Sequence, residues 1–580
     1  MNLFETLASF GFGIPPFLPL LIGSILVACS QGKLQKSLLI LTPIISFINL
    51  LSVSSGAGYH YSLMGLDLTL VKADKLAMLF GYLFHLAAFI GVIYAIRVND
   101  RIQHVAALAY AANAIGAVFA GDWITLFLFW EGLALTSVFL IWARRTERSY
   151  KSGIRYLIFQ VLSGVLLFAG ALLLINGGMS TEIQPLDIQF AWPSTSTSLG
   201  IWLIFLSFGI KCGFPLFHTW ITDAYPEATE SGAVFLAAFT TKVAVYALAR
   251  SFAGTEMLIP IGLTMACFPI FYAVIENDLR RVLTYSMINQ IGFMVCGIGI
   301  GTELAVNGTV AHAFNDVLFK GLLMMSMGAV LLRTGNINGS DLGGLYKTMP
   351  KTTVLCIVGA ASISAFPLFN GFVSKAIIMA EMLHHGHTIG WMLLLFAAAG
   401  VFHHAGIKIP FFAFFAHDSG RRVEEAPTNM LIAMTIGATF CIGIGSFPHY
   451  FYQLLPYEMN YSPYDLTHVL TQLQLLFFSA LAFVFLNMKG LYPPELRSSN
   501  LDSDWLYRRL FPVSYQALTA CVIATQKTIM QTMTLLLSNS TSWIAKFSQP
   551  GGILARGWGI NNMVFIIVLL LGALLFFNFR

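Results

Sequence analysis

The sequence FGIKCGFPLF at residues 208–217 places a lysine, Lys211, and a proline, Pro215, inside a long apolar run. Its last four letters recur 152 residues later as FPLF at 366–369, where Pro367 again lies in an apolar run. Proline breaks a helix and frees backbone carbonyls, which a membrane tolerates only inside protein or beside a water-filled cavity. Two matched broken helices predict the ion pathway of a transporter built from repeats.

The composition excludes a water-soluble protein. Hydrophobic residues make up 57% of the 580 residues, charged residues only 10%, and the mean hydropathy is +0.76. Soluble domains carry about a quarter charged residues, so most of this chain must face lipid or other protein. The net charge of +5 comes without the blocks of like charge that bind nucleic acid. The seven cysteines form no CxxC pair, so we expect no cofactor and no metal site.

Apolar segments that could span a membrane follow one another along the chain. A helical span needs about 20 apolar residues. The candidates are 14–29, 37–54, 76–96, 104–120, 122–142, 154–175, 200–218, 230–250, 257–275, 282–300, 304–332, 352–370, 389–409, 429–448, 469–488 and 560–579. Segment 371–386 is interpreted as the second half of a broken helix that begins near residue 352. The predicted fold class is all-α, a polytopic membrane protein with roughly 14–16 transmembrane helices.

Lysines and arginines cluster in alternate short loops. They follow the first, third, fifth, ninth, eleventh and thirteenth spans: Lys33, Lys36, Arg97, Arg101, Arg144, Arg145, Arg148, Lys151, Arg155, Arg280, Arg281, Arg333, Lys347, Lys351, Arg421 and Arg422. The positive-inside rule places such loops in the cytoplasm. We therefore expect a multi-pass protein of the cell inner (cytoplasmic) membrane, with its N-terminus outside.

The C-terminal region has a different pattern. In segment 513–547, apolar residues recur at helical spacing with polar residues among them, which indicates an amphipathic helix on a membrane or along partner subunits. Such a helix would reach on the order of 50 Å. The span at 560–579 would fix its far end. The alternative is a short surface helix followed by a loop.

Seven ionisable residues in or next to the predicted spans are the candidate functional residues. They are Glu131, Lys211, Lys242, His312, Asp316, Lys320 and Lys375. An ionised group at mid-bilayer costs about 2.5–3.5 kcal/mol on insertion scales, so such groups usually serve a function. We interpret the seven as a proton relay. The alternative is that they form structural ion pairs between helices.

The sequence VAHAFNDVLFK at residues 310–320 gives the relay its most regular pattern. His312, Asp316 and Lys320 are four residues apart, so they share one helix face over about 12 Å. A histidine and a lysine joined through an acid form a plausible short path for protons. By contrast, His403, His404 and Lys408 are predicted to be packing or interface residues.

Several stretches resemble the antiporter-like subunits of Mrp cation/proton antiporters, respiratory complex I and membrane-bound hydrogenases. They include FWEGLALTSVFL at 129–140, HAFNDVLFKGLLMMSMGAV at 312–330 and ISAFPLFNGFVSK at 363–375, and the likeness is strongest to the D-type component of Mrp antiporters. The resemblance implies two inverted five-helix repeats, each with a discontinuous helix. It also implies that Glu131 pairs with Lys211. Asp316 departs from this pattern, because some relatives have a second histidine there.

The resemblance also divides the chain into five segments. These are N-terminal transmembrane helices at 1–100, a first antiporter repeat at 104–250, a second repeat at 256–415, C-terminal transmembrane helices at 429–488, and an amphipathic lateral helix with a final transmembrane helix at 489–580. The tail after residue 489 is longer than is usual in the D-type component. It resembles the end of the largest antiporter-like subunit of complex I.

The expected function is proton translocation in a multisubunit cation (Na⁺)/proton antiporter. Protons would enter near Lys211 or Lys242, pass His312 and Lys320, and leave near Lys375. The chain would be an ion transporter subunit and not an enzyme, with other membrane subunits, protons and lipid as partners and with Na⁺ as a second ion. The alternatives are a proton-pumping subunit of a redox complex, such as NADH-quinone oxidoreductase or membrane-bound hydrogenase, a partner of an inorganic-carbon transporter, and a membrane scaffold.

Overall fold

A computed structural model gives the fold of this chain. It describes residues 14–54, 56, 58–63, 65–188, 193–497, 500–553 and 555–578. The chain divides into two compact units, Met1–Asn500 and Leu501–Arg580.

Helices dominate the first unit. They are α1 (Leu18–Cys29), α2 (Gly32–Ser52), α3 (Lys75–Ala95), α4 (Arg101–Phe119), α5 (Trp123–Trp142), α6 (Glu147–Asn176), α7 (Ser196–Cys212), α8 (Thr219–Ala224), α9 (Gly232–Ala238), α10 (Thr240–Ser251), α11 (Leu258–Ile275), α12 (Leu279–Ile300), α13 (Glu303–Thr334), α14 (Pro350–Ile363), α15 (Asn370–His384), α16 (Thr388–Val401), α17 (Lys408–Pro410), α18 (Thr428–Ser446), α19 (Pro448–Tyr452) and α20 (Leu466–Met488). Two π-helical turns, Phe402–Ile407 and Phe411–Phe415, flank α17 and join it to α16.

The helix lengths confirm a polytopic all-α membrane protein. Among the described residues, thirteen helical segments are long and apolar enough to cross a membrane, and three shorter apolar helices accompany them. Two of the three shorter helices, α7 and α14, end where the sequence predicted broken helices. The third is α1, at the first predicted span. One break was not predicted: the span at 230–250 is divided at Phe239 into α9 and α10.

The two predicted helix breaks have the same backbone geometry. After α7, Gly213 lies in the left-handed region at φ +80° and the amide of Phe214 donates to the carbonyl of Gly209. The same bond recurs 152 residues later, where the amide of Phe366 donates to the carbonyl of Ala361. These bonds close a helix C-terminus in the way usually seen beside a glycine. The two FPLF copies are therefore structurally equivalent breaks.

A β-hairpin lies between α2 and α3 and was not predicted. Strand β1 (Gly58–Leu63) pairs antiparallel with β2 (Leu66–Lys72). The sequence carried a signal for it, because aromatic and β-branched residues alternate on both sides of a turn at Gly65, whose φ is +81°.

The basic loops contact one another on one face of the first unit. Arg144 lies 3.3 Å from Glu227, which also faces Arg281 at 4.0 Å. The segment at 276–281 is bonded in turn to the loop after α13, since Asn277 donates to Ser340. A shared face is what the positive-inside interpretation of these loops requires.

Among its described residues, the second unit contains two α-helices and a π-helical turn, Leu506–Leu510, that precedes them. α21 (Phe511–Ser548) covers the predicted amphipathic segment, and α22 (Ile560–Asn578) covers the final apolar span as far as the structure describes it. No residue of either helix is buried within the described chain. Since α22 is apolar and exposed, it is a candidate membrane span.

Candidate functional site

Lys211 lies in the last turn of α7, next to the first helix break. Its side chain is fully buried, and Nζ donates to the carbonyl of Trp130 at 2.6 Å and lies 4.4 Å from the centre of the Trp130 ring. The indole of Trp130 is itself fixed, because Nε1 donates to Ser163 at 2.9 Å. A buried lysine with a carbonyl and an aromatic face as partners can hold a proton without an ion pair.

Glu131 follows Trp130 on α5, but its carboxylate points towards α6. A Cβ added to Gly164 of α6 would overlap Oε1 of Glu131. That oxygen is buried and has no hydrogen-bond partner among the residues that the structure describes. Glu131 and Lys211 interact electrostatically, yet no ion pair within 4 Å joins them in the described chain. The expected pairing of Glu131 with Lys211 is thus a through-space interaction in this conformation.

Lys242 forms a fully buried ion pair with Asp316. It lies one turn after the break at Phe239, and its Nζ is 2.6 Å from Oδ2 of Asp316. Both side chains are 0% exposed. Nζ also donates to the carbonyl of Ala237 at 3.2 Å, one of the carbonyls next to the break. The unpredicted break in this span therefore supplies a ligand for the lysine.

His312 links α13 to α12 and α15. Nδ1 is 3.0 Å from the hydroxyl of Ser374, and Nε2 is 3.1 Å from Oε1 of Gln290. Lys320 lies two turns further along α13 and donates to Ser286 at 2.8 Å. All of these side chains are buried. With Asp316 and its partner Lys242 on α10 included, the residues that the spacing grouped on α13 contact polar groups of three neighbouring helices.

Lys375 lies in the helix that follows the second break. Its Nζ donates to the carbonyl of Ile363 at 3.1 Å, a carbonyl freed by that break, and lies 5.0 Å from the ring centre of Phe293. Asp316 acts electrostatically on both Lys320 and Lys375. One carboxylate therefore interacts with three buried lysines, and His312 lies in the field of the same three.

Lys408 was predicted to be a packing or interface residue, but in the structure polar groups surround its ammonium group. Its buried Nζ donates to the carbonyls of Val274 and Glu276, both at 2.7 Å, and lies 2.8 Å from Oε1 of Glu495. His404, one turn earlier, is fully buried, and its ring nitrogens have no side-chain hydrogen-bond partner among the described residues. Sequence reasoning missed Glu495, which lies in the polar segment after α20 and carries no local signal of burial.

Comparison with known proteins identifies the central region. Residues 120–400 match the family described as NADH:quinone oxidoreductase/Mrp antiporter, transmembrane. This region belongs to that family. It contains all seven predicted relay residues and both helix breaks.

Curated relatives fall into several types of complex. The chain is 29% identical over 367 residues to the D-type component of the Na⁺/H⁺ antiporter of Alkalihalophilus pseudofirmus, covering 59% of this chain and 72% of that protein. It is 24% identical over 368 residues to hydrogenase-4 component B of Escherichia coli, covering 57% and 54% of the two chains. The chain thus spans about half the length of the latter relative.

Solved structures share the fold. A chain of the Mrp complex from Dietzia sp. aligns with a TM-score of 0.68 at 18% identity, covering 83% of this chain and 100% of that chain. A chain of an archaeal respiratory membrane complex, the membrane-bound sulfane sulfur reductase, aligns with a TM-score of 0.69 at 21% identity, covering 97% and 99%. The fold is therefore that of subunits of multisubunit membrane complexes.

Proposed function

We propose that this chain moves protons across the membrane through a buried line of ionisable side chains. The line consists of Glu131, Lys211, Lys242, His312, Asp316, Lys320 and Lys375. The chain would act as the proton-translocating subunit of a multisubunit cation (Na⁺)/proton antiporter in the cell inner membrane.

The ion pair of Lys242 and Asp316 is the observation that carries this proposal. Both side chains are 0% exposed, and the distance between Nζ and Oδ2 is 2.6 Å. Replacing a buried ion pair by apolar residues is often neutral or stabilising, so stability alone does not require such a pair. Asp316 also interacts with Lys320 and Lys375. A proton gained or lost at one lysine therefore changes the field at the others, which couples successive proton transfers.

The helix breaks support the same function. The carbonyls of Ala237 and Ile363, each next to a break, accept hydrogen bonds from Lys242 and Lys375. Carbonyls at a helix C-terminus favour the protonated amine. A small movement of either half-helix changes this bond and with it the tendency of the lysine to release its proton.

A second candidate is a proton-pumping subunit of a redox complex. The likeness to the archaeal respiratory complex extends over 97% of this chain, whereas that to the Mrp chain covers 83%. In this case the redox centres would lie on partner subunits. The two candidates share the proton path and differ in what drives it.

Proton movement can be measured in everted membrane vesicles that contain the whole complex. We expect Lys211→Ala and Glu131→Ala to abolish it, because each removes a buried proton carrier, whereas Lys347→Ala in an exposed loop should leave it unchanged. Dissipation of a pH gradient by added NaCl indicates the antiporter, and a gradient formed only with an electron donor indicates the redox complex. Wild-type rates for both Lys211→Ala and Glu131→Ala would refute the relay.

A further inference from the structure

We propose that Lys408 and Glu495 form the proton gate on the basic-loop face, with Glu495 passing protons between the buried relay and a surface cavity. This inference rests on the proposed proton transport. It assigns a function to the segment at 489–497, which follows α20 and lies outside the region that matches the antiporter family.

Lys408 needs Glu495 as its counter-ion. The only other carboxylate near its Nζ within the described chain is that of Glu276. The Oε1 atom of Glu276 already accepts from the amides of Asn277 and Asp278, and its Oε2 faces Arg281 at 3.7 Å. Glu495 is therefore the carboxylate to which Lys408 can transfer a proton, at 2.8 Å.

Glu495 connects the buried lysine to the surface. Its side chain is 6% exposed, and Lys408 beside it is 0% exposed. Glu495 also lines a cavity of about 290 Å³ together with Ser340, His417 and Asn487. Burial raises the pKa of Glu495, and the neighbouring Lys408 opposes that shift. A carboxyl in this position can accept a proton from one side and release it to water on the other.

The gate also lies close to the relay. The π-helical turn Phe402–Ile407 approaches the second helix break so closely that a Cβ on Gly406 would overlap the hydroxyl oxygen of Ser364. Ser364 follows Ile363, whose carbonyl binds Lys375. In the same turn, His404 is buried, its ring nitrogens have no side-chain partner among the described residues, and it lies in the field of Lys320 and Lys408.

The proton steps through the gate follow from these positions. Protonated Lys408 gives a proton from Nζ to Oε1 of Glu495, which leaves a neutral amine and a neutral carboxyl. The carboxyl releases the proton to water in the cavity and becomes a carboxylate again. Lys408 regains a proton from the relay, with His404 as the imidazole between Lys320 and Lys408. Proton uptake from the cavity is the same sequence in reverse.

A second ion pair keeps the segment attached while Glu495 changes its charge. Arg497 lies 2.6 Å from Asp341. Hydrogen bonds from Asn336, with further ones from Arg497, lower the pKa of Asp341 to about 2. Asp341 therefore stays ionised at neutral pH, and the segment does not depend on Glu495 alone for its attachment.

Proton flux in everted vesicles that contain the whole complex tests the gate. We expect Glu495→Gln to lower the flux at least tenfold, because an amide keeps the shape of the side chain but cannot carry a proton. Glu424→Gln is the matched control, since Glu424 is 85% exposed on the same face and pairs with Arg333. This control should keep the wild-type flux and the wild-type pH profile.

The double variant Lys408→Gln/Glu495→Gln separates a gate from a structural ion pair. Removing both charges leaves no unpaired buried charge, so the double variant should accumulate in the membrane even if the single variant does not. A structural pair predicts wild-type flux in the double variant, and that result would overturn the proposal. A gate predicts that the loss remains. If Lys211→Ala also keeps wild-type flux, the proposed function fails. If only Lys211→Ala stops the flux, the gate alone fails.

Discussion

Replacing Asp316 by asparagine should expose the energetic role of the central ion pair. The 2.6 Å separation from Lys242 corresponds to an attraction of about 6 kcal/mol at an effective dielectric constant near 20. Breaking a buried pair from one side typically costs about 3–5 kcal/mol. We therefore expect Asp316→Asn to lose about 3–5 kcal/mol of stability.

Unfolding by SDS in mixed micelles measures this loss, and vesicle assays of the same variant measure proton flux. Asp418→Asn is the matched control, because Asp418 forms a partly exposed pair with Lys347 at 2.8 Å. Wild-type stability and flux in Asp316→Asn would refute the reasoning.

Two further predictions concern the position of the Glu131 carboxylate and the ionisation of Asp341. Gly164→Ala should lower proton flux, since the new methyl group would collide with Oε1 of Glu131 and displace it; an unchanged flux would mean that the position of this carboxylate is unimportant. The pKa of about 2 at Asp341, set first by the hydrogen bond from Asn336, predicts a contribution to stability that is complete above about pH 4 and is lost as the pH falls towards 2. SDS unfolding of wild type and Asp341→Asn between pH 2 and pH 7 should show the two curves converging at the acidic end, and a constant difference would contradict the assignment.

The local pattern of the sequence was sufficient for the spans and for the two main helix breaks. Apolar length determines which segments can cross a membrane, and proline with its flanking residues determines where a helix must end. The hairpin at 58–72 had a signal of the same local kind, in its alternating residues and its turn glycine. The break at Phe239 had none, because neither glycine nor proline occurs at that position.

The sequence spacing also showed which residues share one face of a single helix. His312, Asp316 and Lys320 are all buried, as are nearly all residues of α13 from Ala305 to Leu331, so the shared face follows from helix geometry and not from burial. The sequence did not show which partner each side chain contacts, because those partners lie on other helices. Lys242 is 74 residues from Asp316 along the chain, and only the packing of α10 against α13 brings the two within 2.6 Å.

By itself, the sequence determined that this protein crosses the membrane many times and that ionisable residues lie within its apolar segments. Only the tertiary structure decided the direction of the Glu131 carboxylate and the pairing of Lys408 with Glu495. The physical reason is that hydrophobic length and helix breaking are local properties of the chain. The partner of a buried charge is a backbone or side-chain group from a distant part of the sequence that the folded helices bring next to it. Leaving that charge unpaired would destabilise the fold.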